Sequence, residues 1–389
     1  MILRCLQSMG SSATVALANG LVGDIITPAE RGTYIAFASL DSALGPTIAP
    51  IIGGVLGQYA GWHWIFWFLF IFSVVVFIPL LLFLPETCRN VVDNGSIPPP
   101  FLSMNISDWL RHKNRKAAGL QVDVAKMEEL RRNYTLRVPN PLATLSIIAD
   151  KEAGIILFAA GLDLMCFFAI STAASKQFSE VYGLNQFKIA LIFVAAGGGS
   201  IIAAFAIGPF LDWNYRRHAH KLGIPVRKNR DQDLTNFPIE RVRIEVAAPA
   251  LALVAITVIA YGWITTVKVN LAGPVIIMFI SGFAVTFAFQ VLSVLMVDIY
   301  PKAPATSTAA NNIVRCELGA IATAAIVPMI EKIGSGWSFT FWALVFLIYC
   351  PALWVVVKKG MGWRAERADR DALVRRLKKE RKERKENRN

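Results

Sequence analysis

Five ionisable side chains stand inside long apolar runs of this chain: Arg4, Asp41, Asp163, Arg315 and Glu317. Hydrocarbon solvates charge poorly, so such groups persist where they handle an ion, a proton or a charged solute, or where a partner neutralises them. A carboxyl group in apolar surroundings is suited to proton exchange. Asp41, Asp163 and Glu317 are therefore candidates for binding a proton or a cation, and Arg4 and Arg315 join them as substrate or proton-binding candidates. Each has a structural alternative. Arg4 would pair with backbone or a carboxylate, Asp41 would face an aqueous mouth, a neighbouring hydroxyl would satisfy Asp163, and Arg315 would snorkel to the interface. Arg315 and Glu317 lie two positions apart, so they do not share a helix face.

These groups need helices to carry them, and one helix is unusual. Gly45, Pro46, Pro50, Gly53 and Gly54 crowd a single apolar run that also carries Asp41 one turn before Gly45. Small residues let a neighbouring helix approach closely, and prolines free carbonyls that neighbours or water must satisfy. Such a helix bends or lines a path; the alternative is tight packing alone.

Of the 389 residues, 55% are hydrophobic and 17% charged, well below the roughly 25% charged of soluble domains. The apolar residues form nine runs near the length a bilayer requires: 1–23, 33–57, 65–85, 153–174, 189–211, 246–267, 274–297, 309–330 and 337–357. The fold class expected is an all-α integral membrane protein. The net charge of +13 is distributed by topology: ten Lys/Arg lie in 86–152, eight in 212–245 and fourteen after 357. The opposite loops hold Lys176, Lys188, Lys268 and Lys332. Positive charge stays on the cytoplasmic side, so the long loops and the C-terminus are expected inside and nucleic acid is not an expected partner. The sequons at Asn94, Asn105 and Asn133 then stay unglycosylated. Trp62, Trp64, Trp67, Trp337 and Trp342 cluster near outer span ends and are expected in the interfacial belt.

Enzymatic chemistry finds little support. No nucleophile–base pair, metal motif or phosphate loop occurs, and His63, His112, His218 and His220 all avoid the middle of a span. Cys5, Cys88, Cys166, Cys316 and Cys350 are scattered and imply neither a disulfide framework nor a metal site. No cofactor is expected.

Nine spans with the C-terminus inside put Met1 outside, yet no cleavable signal precedes the first run. Three spans precede the polar hinge 86–152, with its Pro98-Pro99-Pro100 and a helical mixed-charge segment at 124–132, and six follow it. The chain reads as though it begins inside a larger protein.

Several motifs then accumulate in order. Arg4-Cys-Leu-Gln7-Ser-Met-Gly10 resembles the fourth-helix pattern of major facilitator superfamily transporters, and Gly45–Gly54 resembles their fifth-helix antiporter motif. Leu84-Pro85-Glu86-Thr87-Cys88-Arg89 resembles the end of the sixth helix, and Gly208 through Asp212 to Arg216-Arg217 resembles the loop between the eighth and ninth. Asp298-Ile-Tyr-Pro301 and Asn312-Ile-Val-Arg315-Cys316 resemble the tenth and eleventh helices of fungal drug:proton antiporters. Gly23–Gly32 and Asn94–Pro100 resemble the quinidine-resistance and polyamine-exporter branch. The resemblance implies helices four to twelve of a twelve-helix fold. The expected domains are a partial N-terminal bundle (1–85), a central cytoplasmic loop (86–152), a six-helix C-terminal bundle (153–357) and a basic tail (358–389) that binds anionic lipid or stays solvated.

The resemblance implies a monomeric, proton-coupled exporter of drugs, organic cations, polyamines or metabolites in the plasma membrane, with the vacuolar membrane as alternative. Its partners are a small organic or cationic substrate, protons and membrane lipid. Asp212, Arg216 and Arg217, with Asp298 as partner, would act as a conformational latch that pairs in one state and releases in another. Nutrient uptake and a non-transporting fragment are the competing readings.

Overall fold

A computed structural model describes residues 2–12, 14, 21, 40–87, 92, 97, 99, 104–117, 127–128, 141–223, 237–300 and 304–386. Among them the chain is helical: α1 (Ile2–Ser12), α2 (Leu40–Tyr59), α3 (Trp62–Phe83), α4 (Ile106–Ala117), α5 (Pro141–Ile148), α6 (Lys151–Tyr182), α7 (Gln186–Lys221), α8 (Ile239–Val267), α9 (Ala272–Ile299), α10 (Pro304–Ile333) and α11 (Ser335–Glu386). Seven of the described helices, α3 and α6 to α11, are long and apolar enough to cross a membrane. Much of the first expected span, the start of the second, most of the segment 124–132, and Asn94, Asn133, Cys88 and Gly23–Gly32 lie outside the described residues.

The residues divide into two units, 1–41 with 52–140, and 42–51 with 141–389. In the first, α3 carries no charged residue and buries none of its side chains, the pattern of a helix whose surroundings are themselves apolar. Trp62, Trp64 and Trp67 are exposed near its start. At its other end Ser107 Oγ donates to the Phe83 carbonyl (2.9 Å) and the Glu86 amide donates to Asp108 Oδ2 (3.2 Å), which ties α4 to the Pro85-Glu86-Thr87 ending.

The second unit holds α6 to α11. All of them but α8, which ends with its span at Val267, overrun the hydropathic spans at both ends, because hydropathy marks the hydrocarbon-facing stretch while backbone bonding continues until a cap intervenes. Asp150 accepts the Glu152 amide at the start of α6, and Gly183 closes that helix with φ 61°. Asn185 caps α7, whose last turn carries His218, His220 and Lys221 against the negative end of the helix dipole. α11 continues without a break from its membrane span through the basic segment to Glu386.

α7 lies along α9, α6 along α10, and α8 against both α9 and α11. Lipid tails are as apolar as leucine, so these helices are held by close packing and by hydrogen bonds between helices. α7 and α9 touch at backbone level: a Cβ on Gly282 would strike the Ala196 carbonyl, and one on Gly199 the Phe279 carbonyl. Beside that crossing, Ser200 Oγ lies 3.1 Å from the Ala196 carbonyl and 3.2 Å from that of Gly282, and it accepts from Thr286 Oγ1 at 2.8 Å. α8 and α11 meet through Tyr261 and Phe339, both fully buried, with ring centres 5.2 Å apart. Trp342 belongs to this core at 7% exposure, not to the interfacial belt, whereas Trp337 is exposed. In an all-apolar segment, residue type alone does not show which face turns inward.

The crossing gives a direct test. Gly282→Ala is expected to destabilise the detergent-solubilised protein by about 1–3 kcal/mol, because rigid backbone must move to admit the methyl group. Gly362→Ala, at a glycine with open space around it, serves as the control and should leave the melting temperature unchanged or slightly raised.

Candidate functional site

The sequence candidates fall in different places. Arg4 lies on α1 and Asp41 in the first turn of α2; both side chains lie outside the described residues, as does that of Pro46. Gly45, Pro50, Gly53 and Gly54 sit on α2, which runs unbroken through both prolines.

Asp163 lies in the middle of α6 with no exposed surface, and neither carboxyl oxygen has a hydrogen-bond partner among the described residues. Among the described residues, no hydroxyl bonds it as the structural alternative expected. Its neighbours include the buried Cys166 on the same helix and Cys350 on α11, both close enough to interact with it electrostatically. Gly161, two residues away on a different face, receives Leu318 and Val314 of α10. Asp163 is thus enclosed within the bundle and faces away from that seam. A charge there is expensive, since no donor among the described residues offsets it.

Arg315 lies on α10, about 16 Å along the helix from its first residue at 1.5 Å per residue. It is half-buried, with its guanidinium 5.8 Å from the centre of the Phe289 ring on α9. One turn earlier, Asn311 is 6% exposed and donates to Ser293 Oγ at 3.0 Å. Glu317 is exposed and lies roughly 200° around the helix from Arg315.

Asp212, Arg216 and Arg217 are exposed on the last turns of α7, where with Pro209 and Trp213 they line a shallow pocket. Arg217 rests over the Trp213 ring at 5.6 Å. Asp298 is engaged elsewhere: Arg243 of α8 donates to it at 3.0 Å, and both side chains are mostly buried. The structure brings none of the α7 charges to Asp298.

Sequence reasoning missed a network at the end of the bundle where α6 and α8 begin. Arg367 on α11 contacts Asp150 through Nε (3.2 Å) and Nη2 (2.9 Å) and Glu152 through Nη2 (2.7 Å), and it lies 4.5 Å from the Tyr300 ring centre. Arg364, one turn earlier, pairs with Glu240 at 3.4 Å and donates to the Phe237 carbonyl at 2.7 Å. Glu152 and Glu240 are 0% and 1% exposed. Both crowd over Gly360, where a Cβ would come within 2.8 Å of Glu240 Cγ and 3.2 Å of Glu152 Oε1. The first turns beyond residue 357 are therefore docked rather than solvated. The available signal was the pair Arg364/Arg367, three apart on one helix face just past a span. Nearby, His218 and Glu245 meet at 2.7 Å, and Asn214 donates to the Val242 carbonyl at 2.7 Å, joining α7 to α8.

Long apolar helices carrying a few enclosed charges, with charge networks at the bundle end, define a polytopic integral membrane protein. A family model described as Major Facilitator Superfamily matches residues 1–324, and the chain belongs to that family of transporters. It is 45% identical over 373 residues to the MFS-type transporter phiD of Fungal sp. (strain ATCC 74256), a match covering 96% of this chain and 56% of that protein. It is 44% identical over 368 residues to the MFS-type transporter tstD of Talaromyces stipitatus, covering 95% of this chain and 66% of that protein. Citrate exporter 1 of Aspergillus niger is 30% identical over 378 residues, 95% of this chain and 70% of that exporter. The chain thus spans less than two thirds of the length of phiD and of tstD.

Proposed function

We propose that this protein is a proton-coupled secondary transporter that exports small organic compounds by alternating access, in the manner of drug:proton antiporters. The observation that carries the reading is Asp163, an enclosed carboxyl group without a partner among the described residues, midway along a membrane helix. A proton carrier must cross the low-dielectric interior as a neutral group and ionise where water reaches it. Asp163 has no exposed surface, so a rearrangement of the helices packed against α6 would be needed to connect it to water. Export rather than uptake is supported by the antiporter-like Gly45–Gly54 helix and by the exporter among the relatives. The basic loops and the docked end of α11 would face the cytoplasm, and the plasma membrane is the proposed location.

The test uses everted membrane vesicles containing the full chain, acidified inside, with ethidium, spermidine, citrate and benzoate as probes. Accumulation of at least one probe that collapses with the pH gradient, and that vector-only vesicles lack, is the expected result. Accumulation confined to right-side-out vesicles with acid outside would make the protein an uptake carrier. No accumulation of any probe in either orientation would remove the transport reading.

A further inference from the structure

We infer that Arg315, Asn311 and Phe289 form a recognition site for the carboxylate of an organic molecule with an apolar body. This narrows the substrate class of the transport reading and rests on it. Arg315 is a permanent cation three turns into a membrane helix. Among the described residues no carboxylate lies within ion-pairing distance of it; its contact is the face of Phe289. Glu317, the nearest acidic residue in sequence, projects from a different face of α10. The remaining charged residues of α10 are at its far end, where Glu331 pairs with Lys176 and Lys332 is exposed.

An unneutralised guanidinium at that depth is costly and calls for an anionic partner, and its planar fork fits a carboxylate through two parallel hydrogen bonds. Asn311, one turn away, supplies a second observation. Asn311 is 6% exposed, its amide nitrogen donates one hydrogen to Ser293, and its Oδ1 has no donor among the described residues. The pair therefore offers two charged donors and one open acceptor, which suits a carboxylate with a hydroxyl or an acid proton beside it. Phe289, whose ring backs the guanidinium, presents apolar surface to the rest of the molecule. With one such cation at this site, a monocarboxylate is the better fit than a polyanion.

Binding and transport separate the two ideas. On the purified full-length protein in detergent, benzoate is expected to raise the melting temperature in a saturable manner, whereas benzylamine and benzyl alcohol are not. Arg315→Gln should weaken benzoate binding by about tenfold or more, as expected for the loss of hydrogen bonds to a charged group. Arg315→Lys should recover part of it, and Lys332→Gln, at the other end of α10, should bind like the wild type. Unliganded melting curves of each variant, and the secondary-structure content of Arg315→Gln, distinguish lost binding from lost folding. Benzylamine binding in preference to benzoate, benzoate binding unchanged in folded Arg315→Gln, or no response to benzoate would each overturn the inference. Benzoate binding without proton-driven movement of any probe in vesicles would retain the site and reject the transport reading.

Discussion

Asp163→Asn is expected to abolish proton-driven accumulation in vesicles, by about a hundredfold or more if coupling is lost outright, while the protein melts at or above the wild-type temperature. The two outcomes together make the test specific. Asparagine has nearly the same shape as aspartic acid and fills the same enclosed space, so packing is preserved. It carries no ionisable proton, and it removes the possibility of an unpaired buried charge, which should favour the folded state. A merely structural aspartate would show the reverse: transport retained and stability reduced. Solute exchange at equal pH on both sides should survive in Asp163→Asn if proton coupling and solute movement are separable. Wild-type rates of gradient-driven transport in the asparagine variant would sink the proton-carrier role.

Arg367→Ala is expected to cost about 3–5 kcal/mol, the range for removing one partner of a buried ion pair. The loss is large because Glu152 has no exposed surface and loses its ion-pair partner, while the mostly buried Asp150 keeps only the Arg370 cation at 3.7 Å. Arg367→Lys should recover only part, since a point-like ammonium cannot reproduce the contacts that the guanidinium makes to Asp150 and Glu152 together. Glu152→Gln in the Arg367→Ala background should restore some stability, because it removes one of the charges left unpaired. These comparisons are read from melting curves of the purified variants. Arg367→Ala melting within a degree of the wild type would show that the network contributes nothing measurable.

The membrane character and the six spans after residue 150 were legible because each apolar run is long and its flanks are polar. Ends were less legible: α6 overruns its span because Asp150 and Gly183 decide where backbone bonding stops, and hydropathy carries neither signal. Asp163 and Arg315 stood out as charges within spans, but their surroundings did not. Whether an enclosed carboxyl finds a hydroxyl depends on which face of α6 meets which neighbour, and that is set by glycine contacts such as Gly161 against Leu318. Arg367 was read as part of a basic tail. Its partner Glu152 lies 215 positions away, and no local pattern connects two residues so far apart. The Arg243 contact of Asp298 was hidden for the same reason: Arg243 and the α7 arginines are equally basic in sequence, and the packing of α8 against α9 decides which of them Asp298 meets in this structure.

The backbone contact between α7 and α9 also bears on how such a bundle can move. At their crossing Gly199 and Gly282 leave no side-chain layer between the two helices, and the Ser200–Thr286 bond pins their register, while Phe210 and Phe287 meet further along. A layer of flexible side chains acts as a lubricant that lets helices slide or roll by changing rotamer, and this crossing has none. α7 and α9 should therefore travel as a single stiff plate. The hinges of any alternating motion then belong at seams cushioned by longer side chains, such as the one where Leu318 and Val314 of α10 rest on α6.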